Sequence, residues 1–176
     1  TRTIPIVGIA CDAMAAGLVN NLARPGENLT GVTCIDADLA GKRVELFREA
    51  LPSFAKLGVM LNQADSRMVA ELLSIQRSVN ATVAVQPLDV RTPSAIALSH
   101  RIPTTFNFRQ YVEAGGLMSY GPNLADMYRQ STNHVVKVLR GERPGDIPME
   151  QPTRFELVVN LKTAAALGIT LPAAFI

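Results

Sequence analysis

The chain has 176 residues, of which 48% are apolar and 18% are charged, and its 17 basic residues nearly balance 15 acidic ones. This length suits one well-packed domain or two small ones, and the composition excludes a disordered chain. No basic stripe with interleaved aromatic residues occurs, which argues against a nucleic-acid-binding protein. No apolar run in the sequence is long enough to span a bilayer.

Strand-like and helix-like segments alternate along the chain, which is typical of an α/β protein with mainly parallel sheets. The apolar patterns predict strands at residues 4–10, 29–34, 57–61, 82–90, 103–106, 117–118 and 155–159. Helical spacing predicts helices at residues 13–22, 38–51, 65–79, 94–100, 109–114, 124–140 and 161–167. The first strand comes so early that we expect further sequence upstream of Thr1.

The regular alternation breaks between Arg91 and Ile102. Only residues 92–101 separate two strands that look parallel, which is close to the lower limit for a crossover that carries a helix. We therefore expect that a stretch of chain is missing near Ile96 and Ala97.

The block from Glu113 to Tyr128 predicts one wall of a ligand cleft. It contains two adjacent glycines, a brief apolar strand that ends before Ser119, and then a helix start. Asn123 is a suitable N-cap for that helix, with Asp126 three residues later. Tyr120 lies at the turn from strand to helix, where open α/β sheets bind ligands. Many such turns bind nothing, and that alternative stays open.

Four further polar residues lie at predicted strand ends and are candidate ligand contacts. Asp12 follows the first strand and is a natural N-cap for the helix predicted after it, so capping alone is the alternative. Asn28 and Thr30 belong to a turn that leads into an extended segment, and a plain turn is the competing interpretation. Asn107 stands between two phenylalanines at another strand end. Together with Tyr120, these residues describe a pocket for a small polar or aromatic molecule.

Enzyme motifs are absent from the sequence, including phosphate-binding loops, dinucleotide fingerprints, nucleophile elbows and zinc-protease motifs. Cys11 and Cys34 fit no zinc pattern with the distant His100 and His134. We favour buried free thiols for the two cysteines, and a disulfide remains open. Only a following helix start would support Cys11 as a nucleophile. We expect a structural or solvent-facing role for His134, and predict no catalytic residue, metal or cofactor.

Four blocks of the sequence, in the right order, carry a family resemblance. They are AGLV through LARPGENLTGV at residues 16–32, GKRVEL at 41–46, residues 108–126, and QPTRFELVVNLKTA at 151–164. The chain resembles the ABC-transporter substrate-binding proteins of the tryptophan/tyrosine-type family, and the likeness extends over nearly the whole chain.

The resemblance implies a type I periplasmic-binding-protein fold, in which two Rossmann-like α/β lobes with mainly parallel sheets close on a ligand in the cleft between them. Residues 1–35 would be the remainder of the first lobe and a crossover, residues 36–118 the second lobe, and residues 119–176 a return to the first lobe with the final crossover. Asp12 matches an acidic residue at the family's strand-to-helix turn, and Asn28, Thr30, Asn107 and Tyr120 match cleft-side positions.

The implied function is that of the solute-binding component of an ABC import system. Such a protein captures a small organic ligand, here an amino acid with an aromatic one as a candidate, delivers it to a membrane permease and performs no chemistry. It would be periplasmic or lipid-anchored outside the cytoplasm, and would bind no nucleic acid. The alternatives are an α/β enzyme that uses Cys11 or Asp12, and a ligand-sensing regulatory domain of the same fold.

The chain departs from the family in two ways. Members are longer, with further βα units before the position of Thr1 and another stretch between Asp89 and Ile102, so we expect an incomplete fold here. Residues Cys11 to Met14 also replace the more usual Gly-Asp-Pro-Val, and of that turn only the carboxylate of Asp12 is kept.

Overall fold

A computed structural model of the chain describes residues 3–54, 56–61, 66–78, 84–89 and 102–176. The strands are β1 (Ile6–Cys11), β2 (Leu29–Cys34), β3 (Lys56–Leu61), β4 (Ala84–Asp89), β5 (Thr105–Phe106), β6 (Met118–Pro122) and β7 (Phe155–Val159). The helices are α1 (Asp36–Ala50), α2 (Ser66–Ser78), α3 (Arg109–Glu113), α4 (Leu124–Leu139) and α5 (Leu161–Ala166). The short helix expected at 94–100 and the break expected near Ile96 and Ala97 lie outside the described residues.

The chain divides into two compact units, each built from two separate stretches of sequence. Unit 1 contains residues 1–35 and 122–155, and unit 2 contains residues 36–121 and 156–176. The strand pairs β1–β2, β3–β4 and β5–β6 are all parallel. The predicted α/β class with mainly parallel sheets is therefore confirmed.

Unit 1 is organised around the parallel pair β1 and β2, which is in register from Ile6 opposite Leu29 to Cys11 opposite Cys34. Helix α4 packs against both strands. A later segment extends the pairing of β2, because the amide of Thr33 donates to the Glu150 carbonyl at 2.8 Å and the amide of Glu150 donates to the Gly31 carbonyl at 2.9 Å. A segment far from β2 in sequence is thus joined to it by backbone hydrogen bonds.

Gly31 is required by the close approach of the two strands. Its φ angle is +137°, in the region that favours glycine, and a Cβ atom at this position would collide with the backbone of Gly8 on β1. A larger residue at this position would force β1 and β2 apart.

His134 lies on α4 and is fully buried inside unit 1. One ring nitrogen lies 3.3 Å from the Gln130 carbonyl oxygen and the other lies 3.1 Å from the Pro148 carbonyl oxygen. The contact with Pro148 ties the helix to the segment that follows it. The structural role predicted for His134 is confirmed, and the solvent-facing alternative is wrong.

The helix predicted at residues 13–22 is absent, because the segment forms a series of turns. The amide of Ala16 donates to the Asp12 carbonyl as in a helix, but the amide of Leu18 reaches back five residues to Ala13. Gly17, at φ +67°, breaks the helical path between them. Asp12 is therefore not the N-cap of a helix, and that prediction is wrong.

The prediction of free thiols is also wrong, because Cys11 and Cys34 form a disulfide. The two residues are directly paired on neighbouring parallel strands, which brings their Cα atoms to 4.4 Å. This distance lies within the range that a disulfide spans. Strand register, which spacing along the sequence does not reveal, decides the pairing.

Unit 2 combines the parallel pair β3–β4 with a three-stranded sheet in which β6 lies between β5 and β7. Helices α1 and α2 pack against each other, and α1 also lies beside β5. Its hydrophobic core contains the buried residues Ala40, Val44, Phe47, Ala50, Leu57, Val59, Ile75, Leu117, Met118, Ala164 and Leu171.

Strand β6 continues further than the sequence predicted. The expected interruption from Ser119 onward does not occur, and the strand runs through Gly121 to Pro122. Gly121 makes this continuation feasible, because a Cβ atom there would collide with the carbonyl oxygen of Asn107. Helix α4 then begins as predicted, with the Asn123 side chain accepting from the amide of Asp126 at 3.1 Å.

The large apolar residues of α4 are only partly buried. Met127 is fully buried, whereas Tyr128 is 60% exposed and Leu139 is 81% exposed. Among the described residues, no helix combines the length and the apolar character that crossing a bilayer requires.

Candidate ligand-binding site

Asp12 lies directly after β1, at the carboxyl end of the β1–β2 pair. Its amide donates to the Cys34 carbonyl at 2.8 Å, and the next amide, of Ala13, donates to the Thr33 hydroxyl at 3.1 Å. Its backbone has a φ of +50°, an uncommon value for a residue other than glycine. The turn at Asp12 is therefore held against β2 by two hydrogen bonds and by the neighbouring disulfide.

Asn28 and Thr30 lie at the opposite end of the same pair of strands. Leu29, which follows Asn28, is paired with Ile6 at the start of β1, whereas Asp12 follows the end of β1. Five strand residues at about 3.3 Å each give a separation of roughly 16 Å or more. The structure does not bring Asn28 and Thr30 together with Asp12.

The side chains of Asn28 and Thr30 already have partners within unit 1. The Thr30 hydroxyl is fully buried and donates to the Ile147 carbonyl at 2.8 Å. The Asn28 amide group donates to the Ile4 carbonyl at 2.6 Å and borders an open hollow of about 460 Å³. That hollow is lined by Thr3, Pro5, Gly26, Glu27, Asn28, Val138, Gly141, Glu142, Arg143 and Pro144.

Asn107 and Tyr120 come together in unit 2. Phe106 at the end of β5 is paired with Ser119 on β6, so Asn107 and Tyr120 are the next residues along two neighbouring parallel strands. They therefore lie side by side toward the carboxyl end of the β5–β6 pair, as open α/β sheets place ligand contacts. Both side chains are half-buried.

Two hydroxyl groups on the same two strands lack a partner within the part of the protein that the structure describes. Among the described residues, Thr105 Oγ1 and Ser119 Oγ are buried and have no hydrogen-bond partner. Buried hydroxyls are rarely left unsatisfied, so a water molecule or a ligand group is the partner that such atoms require. No sequence pattern marked these two hydroxyls, because both residues occupy ordinary strand positions.

The structure adds Asp36 to the candidate site, a residue that the sequence did not single out. The Asn107 side-chain nitrogen donates to Asp36 Oδ2 at 2.8 Å. Asp36 Oδ1 lies 3.4 Å from Arg43 Nη1, and Arg43 Nη2 lies 2.5 Å from Glu71 Oε1. The available signal was an acidic residue just after a predicted strand, as at Asp12.

Lys42 contributes a positive charge in the vicinity of Tyr120. Its pKa is raised above the usual lysine value, first by a hydrogen bond to Glu45 and more weakly by the charges of Glu45, Glu49 and Tyr120. The ammonium group lies 3.0 Å from Glu45, on an exposed part of α1. Lys42 is thus charged at neutral pH, and Glu45 offsets its charge.

The enzymatic alternative loses Cys11 as a nucleophile in this structure. Cys11 is joined to Cys34, so it carries no free thiol. His134 is buried, with both ring nitrogens facing backbone carbonyls. The grouped residues Asp36, Arg43, Asn107 and Tyr120 can donate and accept hydrogen bonds, which suits recognition of a small polar molecule.

Parallel α/β units with polar side chains at the strand ends define a class of proteins that bind small molecules. The family model described as ABC transporter substrate binding protein matches residues 1–97 and 92–176. The chain belongs to this family.

Known relatives support the same family and fold. A tyrosine-binding protein of Clostridioides difficile is 27% identical over 203 residues; the match includes 96% of this chain, and the chain spans 58% of the relative's length. A structure from Vibrio cholerae has a TM-score of 0.86 at 26% identity, with 99% of this chain and 70% of that chain covered. A Streptococcus pneumoniae ABC domain in complex with L-Trp has the same TM-score, at 23% identity and with the same coverage, and shows the fold.

Proposed function

We propose that this chain is part of the solute-binding component of an ABC import system, and that it captures an amino acid with an aromatic side chain. The proposal rests on membership of the substrate-binding family. The tyrosine-binding relative and the fold neighbour bound to L-Trp direct it toward aromatic amino acids. On this proposal the protein performs no chemistry and passes its ligand to a membrane permease.

The single observation that carries the proposal is the placement of Asn107 and Tyr120 side by side, each one residue beyond the paired Phe106 and Ser119 of two neighbouring parallel strands. An amide and a phenol supply both hydrogen bonding and an aromatic surface, which are the contacts that an aromatic amino acid uses. The unpartnered hydroxyls of Thr105 and Ser119 on the same strands add further polar groups.

We put forward Asn107 and Tyr120 of unit 2 and Asp12 of unit 1 as ligand contacts. Asn28 and Thr30 are left out of this set, because their side chains bond to Ile4 and Ile147 at the other end of the β1–β2 pair. We propose that the protein works outside the cytoplasm, as its family does, either in the periplasm or attached by a lipid anchor.

A thermal-shift screen of the complete protein against the twenty L-amino acids tests the proposal. A ligand that binds only the folded state stabilises it by about 2.7 kcal/mol at one hundred times its dissociation constant. We expect L-tyrosine or L-tryptophan to raise the melting temperature, and titration calorimetry to give a saturable one-site isotherm. The absence of any shift with both aromatic amino acids would contradict the proposed ligand class.

A further inference from the structure

We propose that Asp36 is a positioning residue that fixes the orientation of the Asn107 side-chain amide, so that this position accepts hydrogen bonds from a ligand. The ligand group that we assign to it is the ammonium group of an amino acid. This inference rests on the proposed function. It adds which partner donates and which accepts in one hydrogen bond between the protein and the ligand.

The orientation of Asn107 follows from the chemistry of its partner. An ionised carboxylate can only accept hydrogen bonds, so the NH₂ group of Asn107 must face Asp36 Oδ2, at 2.8 Å. The amide oxygen then points away from Asp36. Among the described residues, this oxygen has no hydrogen-bond donor from the protein. It is the acceptor that remains available to a ligand.

Asp36 is itself held in place by Arg43. The guanidinium group is buried and contacts Asp36 twice, at Oδ1 with 3.4 Å and at the backbone carbonyl with 3.0 Å. Its Nη2 also contacts Glu71 at 2.5 Å. Because both carboxylate oxygens of Asp36 are in use, one by Arg43 and one by Asn107, rotation of the carboxylate would break two contacts.

The charges of this group favour a cationic donor. The charged group in direct contact with the Asn107 amide is the carboxylate of Asp36, and Arg43 divides its positive charge between Asp36 and Glu71. Charge-assisted hydrogen bonds are stronger than neutral ones. Of the donors on tyrosine and tryptophan, the ammonium group is common to both and is positively charged.

The substitution Asp36→Asn is expected to reverse the Asn107 amide. The new side chain has one acceptor oxygen, and Arg43, which can only donate, must take it. The new NH₂ group then faces Asn107, which has to turn its own oxygen toward it. Asn107 would then present its NH₂ group to the ligand instead of its oxygen. Because the NH₂ group and the ligand's ammonium group can both only donate, the hydrogen bond between them would be lost.

The matched control is Asp38→Asn. Asp38 is an exposed residue in the first turn of the same helix, so this change removes the same charge near the same helix terminus. No described contact joins Asp38 to Asn107. A general effect of charge or of helix stability would appear equally in both variants.

Two measurements on the complete protein test the inference. The first compares the dissociation constants of L-tyrosine and of 3-(4-hydroxyphenyl)propionate, which lacks the amino group. We expect Asp36→Asn to reduce the preference for L-tyrosine by about tenfold or more, and Asp38→Asn to change it less than twofold. An equal loss of affinity for both compounds would overturn the inference, because it would mean a purely structural role.

The second measurement needs no ligand and separates this inference from the proposed function. The side-chain NH₂ resonances of Asn107 are assigned by their loss in Asn107→Leu. We expect slow hydrogen exchange for the proton that faces Asp36, and a changed resonance in Asp36→Asn but not in Asp38→Asn. If Asn107 resonances are identical in the wild type and Asp36→Asn, the inference is wrong, whichever ligand binds. If Asp36→Asn does not fold, slow exchange in the wild-type protein supports the inference and fast exchange overturns it.

Discussion

Cys11 and Cys34 occupy directly opposite positions on parallel strands β1 and β2 and are joined by a disulfide, with their Cα atoms 4.4 Å apart. The bond lies beside the turn at Asp12, whose amide donates to the carbonyl of Cys34. Two cysteines 23 residues apart in sequence therefore close the end of the sheet at which a candidate ligand residue lies.

Removal of this disulfide is expected to destabilise the protein. For the double substitution Cys11→Ala and Cys34→Ala, we expect a loss of about 3 kcal/mol in the free energy of unfolding, because the unfolded chain regains the freedom that the cross-link removed. Urea unfolding measures it. Dithiothreitol should lower the wild-type midpoint and leave the double variant unaffected, and equal midpoints without reductant would contradict the prediction.

The glycine at position 31 is predicted to be irreplaceable. We expect Gly31→Ala to destabilise the protein by roughly 3 kcal/mol or more. Alanine would have to adopt a φ angle that is unfavourable for it, and its methyl group would collide with the Gly8 backbone. Gly141→Ala is the matched control, since φ there is +96° but nothing lies within 4 Å of the added atom. It should cost about 1 kcal/mol. Thermal unfolding compares the two, and similar losses would refute the steric part of the argument.

The start of α4 depends on Asn123. Replacement by alanine removes the acceptor for the Asp126 amide and is expected to cost about 1 kcal/mol. Asn133→Ala, on an exposed position in the middle of the same helix, should be neutral or slightly stabilising because alanine has the higher helix propensity. Urea unfolding of both variants provides the test. A destabilisation by Asn133→Ala as large as that by Asn123→Ala would show that capping is not the cause.

Tyr120 is predicted to contribute to ligand affinity more than to folding. We expect Tyr120→Ala to weaken binding of L-tyrosine or L-tryptophan by about 2 kcal/mol, roughly thirtyfold in Kd, as is typical when an aromatic contact at a binding site is removed. Tyr128→Ala, which changes a tyrosine that is 60% exposed on α4, is the control and should leave the Kd unchanged. Titration calorimetry measures both. A loss of folding with unchanged affinity would assign Tyr120 to the architecture of β6 instead.

Most helices and strands could be predicted from the sequence because their signals are local. Strand β2 has the predicted bounds, α4 differs from its prediction by one residue at its end, and α1 differs by two residues at its start and one at its end. Repeated apolar spacing and the cap at Asn123 are read within a few residues of chain. The false helix at 13–22 shows the limit of this reasoning, because Gly17 interrupts an otherwise helical pattern and neighbouring strands supply the alternative hydrogen bonds.

The candidate site was only partly predictable. The position of Asn107 at a strand end was visible in the sequence, whereas Tyr120, which was predicted at the turn after a strand, lies within β6. The parallel pairing of β5 with β6 makes the two residues neighbours. Asp12 and Asn28 were both predicted as polar ligand contacts at strand ends. The register of β1 and β2 places them at opposite ends of one pair of strands. Asp36 was missed, since its contact with Asn107 joins residues 71 positions apart.

By itself, the sequence determined the α/β class, the order of most elements and the family, because these depend on local patterns and on blocks of residues in a given order. Only the tertiary structure decided that the cysteines are bonded, which strand ends lie together, and that Asp36 orients Asn107. These features depend on strand register and helix packing, which bring together residues that no local pattern relates.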